Sequence, residues 1–273
     1  MATHVTTIER GKGLLPVDWK ELWDYRELLL ILAWRDIKVR YKQTVLGASW
    51  AIIQPLLNML VFTFLFHKLA NMPSDGLPYP LFVLAGLLPW TFFANAVGTS
   101  SQSLVGSAHL ITRVYFPRLI VVLSSILSGL LDLAIMFVLM FGLMFYYHSK
   151  AGWTLLFLPL MVLITGFTAF GIGTGIAALT VAYRDFRYVV PFAVQVWMFV
   201  TPVVFPISVI PLRWRWVVNV NPMAGIIEAY RSLLFFTPFP WGRLSLSLFS
   251  GVVLFLIGTA YFRTVERGFA DII

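Results

Sequence analysis

The sequence predicts an all-α membrane protein with six transmembrane helices, an N-terminal amphipathic interface helix, and short re-entrant helices in the last extracytoplasmic loop. Three observations carry that prediction. Apolar side chains make up 59% of the 273 residues and charged ones only 12%, against about 25% charged in ordinary soluble domains. Apolar runs long enough to cross a bilayer recur along the chain, a crossing helix needing about 20 such residues. The basic residues stand at the ends of those runs, as membrane anchors do.

The runs are 49–70, 79–101, 119–147, 154–182, 189–210 and 244–262. The third and fourth exceed what a bilayer requires, so they tilt, kink or protrude into water. The second is the weakest, because Pro89, Asn95 and the TSSQS stretch at 99–103 interrupt it. Residues 1–48 form a cytoplasmic tail and the amphipathic helix, and 49–273 form the six-span unit. The amphipathic helix begins at Asp18, a capping residue with Glu21 three positions on as the return half of a capping box. Trp19, Leu22, Trp23, Leu29 and Leu30 give it an apolar face, and Lys20, Glu21, Asp24 and Glu27 a polar one, so it is expected to lie flat in the membrane interface.

Positive charge stays on the cytoplasmic side of a membrane. An even number of spans puts both termini together, and 14 of the 20 Lys and Arg residues fall on their side. Both termini are therefore expected in the cytoplasm. The net charge of +8 does not point to nucleic acid, since the basic residues form no patch beside exposed aromatics. The lack of cysteine removes disulfides, thiolate metal sites and cysteine nucleophiles. The four histidines share no ligand-like spacing, and no metal site is expected. The N-terminus lacks the apolar core and cleavage site of a secretory signal peptide.

The loop 211–243 carries one apolar run, PMAGIIEAYRSLLFF at 222–236, too short to span and suited to a re-entrant helix. Prolines at 206, 211, 222, 238 and 240 argue against one continuous helix and for two short ones. Glu228 and Arg231 stand at i, i+3 and can pair there, as an extracytoplasmic gate.

Four stretches together carry a resemblance. They are RDIKVRYKQTVLGASWAIIQP before the first span, LITRVYFPRLI after the second, VAYRDFRYV after the fourth and NPMAGIIEAYR in the late loop. In this order they resemble the permease subunits of ATP-binding-cassette (ABC) exporters of O-antigen, capsule and teichoic acid polysaccharides, over nearly the whole chain. The resemblance implies a homodimer in the bacterial inner membrane, served by two separate ATPase subunits and moving a lipid-linked polysaccharide outward. ATP and Mg then belong to the ATPase partner, and this chain needs no cofactor. The absence of a G-x-x-x-x-G-K-[ST] phosphate loop fits that division. The glycines at 166, 171, 173 and 175 lie inside a span and read as packing surfaces, Gly171 and Gly175 above all.

By the same resemblance the stretch 104–118 is a coupling helix that docks on the ATPase, with His109, Arg113 and Tyr115 in polar contacts and Leu110 and Val114 packed in its groove. A loop helix on lipid headgroups is the alternative. Arg184 and Asp185 are a second point of ATPase contact, or simple anchors. Lys38, Arg40 and Lys42 mark the cytoplasmic boundary where lipid-linked substrate is admitted.

Within the spans Asp132 stands out, since a charge at the centre of a helix costs at least about 2.5–3.5 kcal/mol to insert. Ser125, Ser128 and Asp132 share a face, which suits either a pore-lining group or an interhelical hydrogen bond. Gln54 and Asn58 stand at i, i+4, and Phe62 and Phe66 continue their stripe. Amides can hydrogen-bond sugar hydroxyls, and aromatic faces can stack on the apolar faces of sugar rings. A sliding polymer needs many such weak contacts, and Trp90, Phe92 and Phe93 on the second span with Phe192, Trp197, Phe199 and Phe205 on the fifth complete the candidate channel lining. Aromatics also fill lipid-facing surfaces. A permease for drugs or lipids is the nearest alternative function. A secondary transporter calls for inverted repeats or several buried charges. A membrane-embedded glycosyl- or acyltransferase calls for a His or carboxylate cluster, which the sequence does not supply.

Overall fold

The computed structural model describes residues 17–42, 49–150, 152–266 and 268–269. The N-terminal polar tail and positions 43–48 lie outside the described residues. Asp18 caps the first helix as expected, its carboxylate accepting from the backbone N–H of Lys20 and Glu21 at 3.1 Å each. That helix, α1 (Trp19–Asp24), breaks at Tyr25, and α2 (Arg26–Lys42) follows. The chain then forms α3 (Trp50–Phe62), extended by a π-helical stretch Thr63–Leu69, and α4 (Tyr79–Gly106). After the single turn α5 (Ala108–Ile111) come α6 (Leu119–Tyr146), α7 (Leu158–Ala182) and α8 (Phe186–Val200). The short α9 (Arg215–Val220) and α10 (Pro222–Phe235) precede α11 (Trp241–Glu266). There is no strand among the described residues.

Five helical segments are long and apolar enough to cross a membrane: Trp50–Leu69, Tyr79–Gly106, Leu119–Tyr146, Trp153–Ala182 and Trp241–Glu266. The fold is thus all-α and multi-pass. At the centre is α4, which packs on α6, α7, α8 and α10 and is buried along most of its length. Of the predicted packing glycines, Gly171 and Gly175 lie where α7 meets α11 and Gly173 lies against Ser100 of α4, whereas a Cβ on Gly166 would meet nothing within 4 Å. A Cβ on Gly175 would sit 2.9 Å from the Gly258 Cα, and one on Gly171 would strike the Phe255 backbone. Backbones approach there as closely as small residues permit.

The structure corrects two expectations of the sequence. The first concerns the interface helix, which is two helices, α1 and α2, rather than one. Leu32 and Ala33 of α2 are buried where α2 packs on α6, while Trp19 of α1 stacks on Phe255 of α11 with ring centroids 6.4 Å apart. Trp23, Leu30, Ile31 and Trp34 stay exposed on the other side.

The second concerns the expected fifth span, 189–210, whose helix stops at Val200. Pro202 has no N–H to donate and disfavours helical geometry in the residue before it, and Thr201 is accordingly extended (φ −96°, ψ 140°). Three carbonyls of the segment that follows are bonded by protein side chains. Arg231 of α10 donates to the carbonyls of Pro202 (2.9 Å) and Val203 (2.6 Å). The Tyr79 hydroxyl donates to the Val204 carbonyl at 2.6 Å, and the Asn221 amide donates to the Thr201 hydroxyl at 2.8 Å. Gly86 on α4 leaves the space this requires, since a Cβ there would collide with the Val203 carbonyl and the Arg231 guanidinium. The late loop forms the two short helices expected of it. Pro222 opens α10 in the first turn, where its missing N–H costs nothing, and every α10 residue except Glu228 is buried.

Candidate functional site

Pro55 interrupts α3 near its first turn, buried, and cannot donate to the Ala51 carbonyl four residues back. Beside Pro55, α2, α3, α4 and α6 line a cavity of about 800 Å³. Its walls carry Arg40 and Tyr41 from α2, Gln54 and Asn58 from α3, Thr91 and Asn95 from α4, and Asp132 from α6. Trp50 and Phe92 supply aromatic surface. The i, i+4 spacing of Gln54 and Asn58 keeps both amides on one face, and neither makes a protein hydrogen bond among the described residues.

Asp132 is the centre of the cavity's electrostatics. The Arg40 guanidinium donates to one carboxylate oxygen and the Tyr41 hydroxyl to the other, and Arg40 and Asp132 form an ion pair. Burial, then the bond to Asp132, push the Tyr41 phenol up to about 12. Tyr41 therefore keeps its proton and stays a donor at neutral pH. Asp132 thus takes its partners from another helix, and Arg40 and Tyr41 hold the end of α2 against the middle of α6. Ser125 and Ser128, on the same face of α6, are buried with their hydroxyls bonded back to Val121 (3.1 Å) and Ser125 (2.8 Å) carbonyls. Tyr41 carries no signal in the sequence that marks it as a partner of Asp132. Only the packing of α2 brings it there.

The structure separates other residues that the sequence placed together. Of the boundary trio, Arg40 reaches Asp132, Lys38 lies 5.5 Å over the Trp34 ring, and Lys42 is exposed. Phe62 and Phe66 pack on each other, centroids 6.0 Å apart, beyond the cavity. Trp90 is buried in a ring cluster with Phe93 and Trp197, whereas Phe192 and Phe199 are exposed on α8. Glu228 and Arg231 do not pair with each other. Glu228 accepts from Arg243 at 2.6 and 2.8 Å, and Arg231 lies 3.7 Å over the Phe82 ring while serving the carbonyls after α8.

The expected coupling helix is also shorter than 104–118. Its first residues belong to α4, a single turn follows at Ala108–Ile111, and the strip to Pro117 is not helical. Leu110 is partly buried against the core, whereas Val114 is exposed. His109, Arg113 and Tyr115 are exposed, and so are Arg184 and Asp185 at the α7–α8 turn. None of the charged three is in an ion pair among the described residues. Among the described residues no three His, Asp or Glu side chains are grouped to hold a metal ion.

Replacing Asp132 with Leu leaves Arg40 without its partner. The pair is 32% and 22% exposed, so its loss falls between the roughly 1 kcal/mol of a surface pair and the about 3–5 kcal/mol of a buried one. Thermal unfolding in detergent measures this. Asp132→Leu is expected to lower the midpoint and the exchanged pair Arg40→Asp with Asp132→Arg to recover part of the loss; an exchanged pair no better than the single variants contradicts the contact.

Comparison with known proteins places this geometry. Residues 27–235 match the family described as ABC-2 type transporter. The chain is 29% identical over 257 residues to the O-antigen export system permease protein RfbA of Myxococcus xanthus, covering 92% of this chain and 97% of the relative. It is 27% identical over 248 residues to a protein of that name from Klebsiella pneumoniae, covering 90% and 95%. It is 24% identical over 243 residues to the polysialic acid transport protein KpsM of Escherichia coli, covering 85% and 91%.

Proposed function

The chain belongs to the ABC-2 type transporter family, and from that premise we propose that it is the permease of an exporter carrying lipid-linked polysaccharide outward across the bacterial inner membrane. The observation that carries this reading is the cavity of about 800 Å³, where the amides of Gln54 and Asn58 lie beside Trp50, Phe92 and the Arg40–Asp132 pair. Sites of this volume are in the usual range for ligand pockets. Paired donors and acceptors next to aromatic faces suit sugar rings, and the neutral pairing of Arg40 with Asp132 leaves no deep electrostatic well to stop a moving chain.

Two copies make the transporter, and two separate ATPase subunits power it, holding ATP and Mg. Support for the pairing comes from α8, which buries only Val190 within one chain and turns Phe192, Val196 and Phe199 outward. On this reading α8 with the bonded segment after it is the fifth of six crossings, both termini are cytoplasmic, and α10 is a re-entrant helix. Residues 1–48 act as the cytoplasmic arm of the permease unit 49–273. His109, Arg113 and Tyr115, with Arg184 and Asp185, face the ATPase. Lys38 and Lys42 flank the site where substrate is admitted, and Glu228, through Arg243, steadies the outer end.

Export in a strain lacking this gene, read as surface polysaccharide alongside ATP hydrolysis in purified complex, tests both halves of the proposal. Gln54→Leu with Asn58→Leu is expected to cut export strongly while the chain stays in the membrane; undiminished export removes the cavity from the path. Arg113→Glu is expected to leave ATP hydrolysis running while export falls, and export at the wild-type level removes the coupling role.

A further inference from the structure

A second cavity of about 620 Å³ lies between α2, α4, α6 and α8, and it shares Asn95 and Thr99 with the first. Its remaining polar wall is Gln102, Ser103 and Ser107 at the end of α4, with Arg35 and Asp36 of α2 and Ser125 of α6. The two cavities therefore follow one stripe of α4. Thr91, Asn95 and Thr99 are spaced by four and Gln102 by three more, a track about 16 Å long at helical rise. These are the residues that weaken the second span in the sequence.

Three features show what this cavity suits. The amides of Asn95 and Gln102 make no protein hydrogen bond among the described residues, while the hydroxyls of Thr99 and Ser103 donate to the carbonyls of Asn95 (2.7 Å) and Ser100 (2.8 Å) and keep acceptor capacity. Arg35 and Asp36 neutralise each other at 2.8 and 3.0 Å, so the wall offers an anion no free cation. Gly98 and Gly106 are not packing glycines: a Cβ on either would meet nothing within 4 Å, and their bare backbones widen the space. Free amides, spare acceptors, no net charge and room fit an uncharged, hydroxyl-rich ligand.

We propose that this second cavity is a binding site for uncharged sugar residues, a vestibule at the cytoplasmic side that feeds the larger cavity along the α4 stripe. The Arg40 and Tyr41 contacts to Asp132 hold α2 in place as its wall. This inference rests on the reading of the chain as a polysaccharide permease, and it adds where the sugars are held first.

The chain has no cysteine, so single cysteines can report occupancy. The full complex is placed in membranes from a host that makes the lipid-linked glycan, and from one in which glycan assembly is blocked, with the ATPase disabled to stall substrate. A small maleimide is the probe, applied to Thr99→Cys, Gln102→Cys and Gln54→Cys, with Leu212→Cys, 80% exposed and outside both cavities, as control. The expected result is labelling at every position without glycan, and loss of labelling at 99, 102 and 54 with it while 212 stays labelled. Protection at 54 alone overturns the vestibule and leaves the export reading standing. Protection nowhere overturns both. Failure of 99 and 102 to label even without glycan shows the seam closed to water and overturns the vestibule.

Discussion

A carboxylate at the centre of an apolar helix has to find a partner, because its bare charge is among the costliest things a membrane span can carry. Asp132 finds two, the Arg40 guanidinium and the Tyr41 hydroxyl, and both stand on a helix that does not itself span. That requirement draws the end of α2 alongside α6. With α2 in place the polar faces of α3 and α4 share a cavity with α2 and α6. The pair also cancels its own charge, which leaves the cavity polar without making it a trap for ions.

The opposite end of the molecule obeys the same rule in a different form. A chain that leaves helical geometry inside a membrane protein must have its backbone groups bonded by protein. Pro202 ends α8, and Tyr79 and Arg231 bond the carbonyls of Pro202, Val203 and Val204, while Asn221 bonds the Thr201 hydroxyl. Arg231 is 8% exposed and spends two donors on carbonyls and its face on the Phe82 ring. The consequence is mechanical: α4, the end of α8 and α10 are tied at one point, so α8 is anchored at its C-terminal end while Phe192, Val196 and Phe199 along it are exposed.

Much of this was legible from residues alone, and the rest was hidden for physical reasons. Length and hydropathy mark the long helices, and Gly171, Gly175, Gln54, Asn58 and Asp132 stand out because each is costly or unusual where it lies. Tyr41 and Asn95 do not, since a tyrosine near a membrane boundary and a polar residue in a weak span each have ordinary explanations. Their place in the cavity arises from tertiary packing, of α2 on α6 and of α4 on α6. The i, i+3 spacing of Glu228 and Arg231 suggested a local pair, but spacing says nothing of stronger offers. A two-contact bond to Arg243 and two free carbonyls after Pro202 outcompete it. Similarly, a hydropathy run continues through Pro202 to residue 210, while the helix cannot.

The central claim is that polysaccharide passes through the cavity that Asp132 and Arg40 organise. A cryo-electron microscopy structure of the dimer with its ATPase, stalled on lipid-linked glycan, tests it most directly. The account predicts sugar density against Gln54, Asn58 and Asn95, with the Arg40–Asp132 contact beside it. Sugar density confined to another path, with lipid or nothing between α2, α3, α4 and α6, contradicts it.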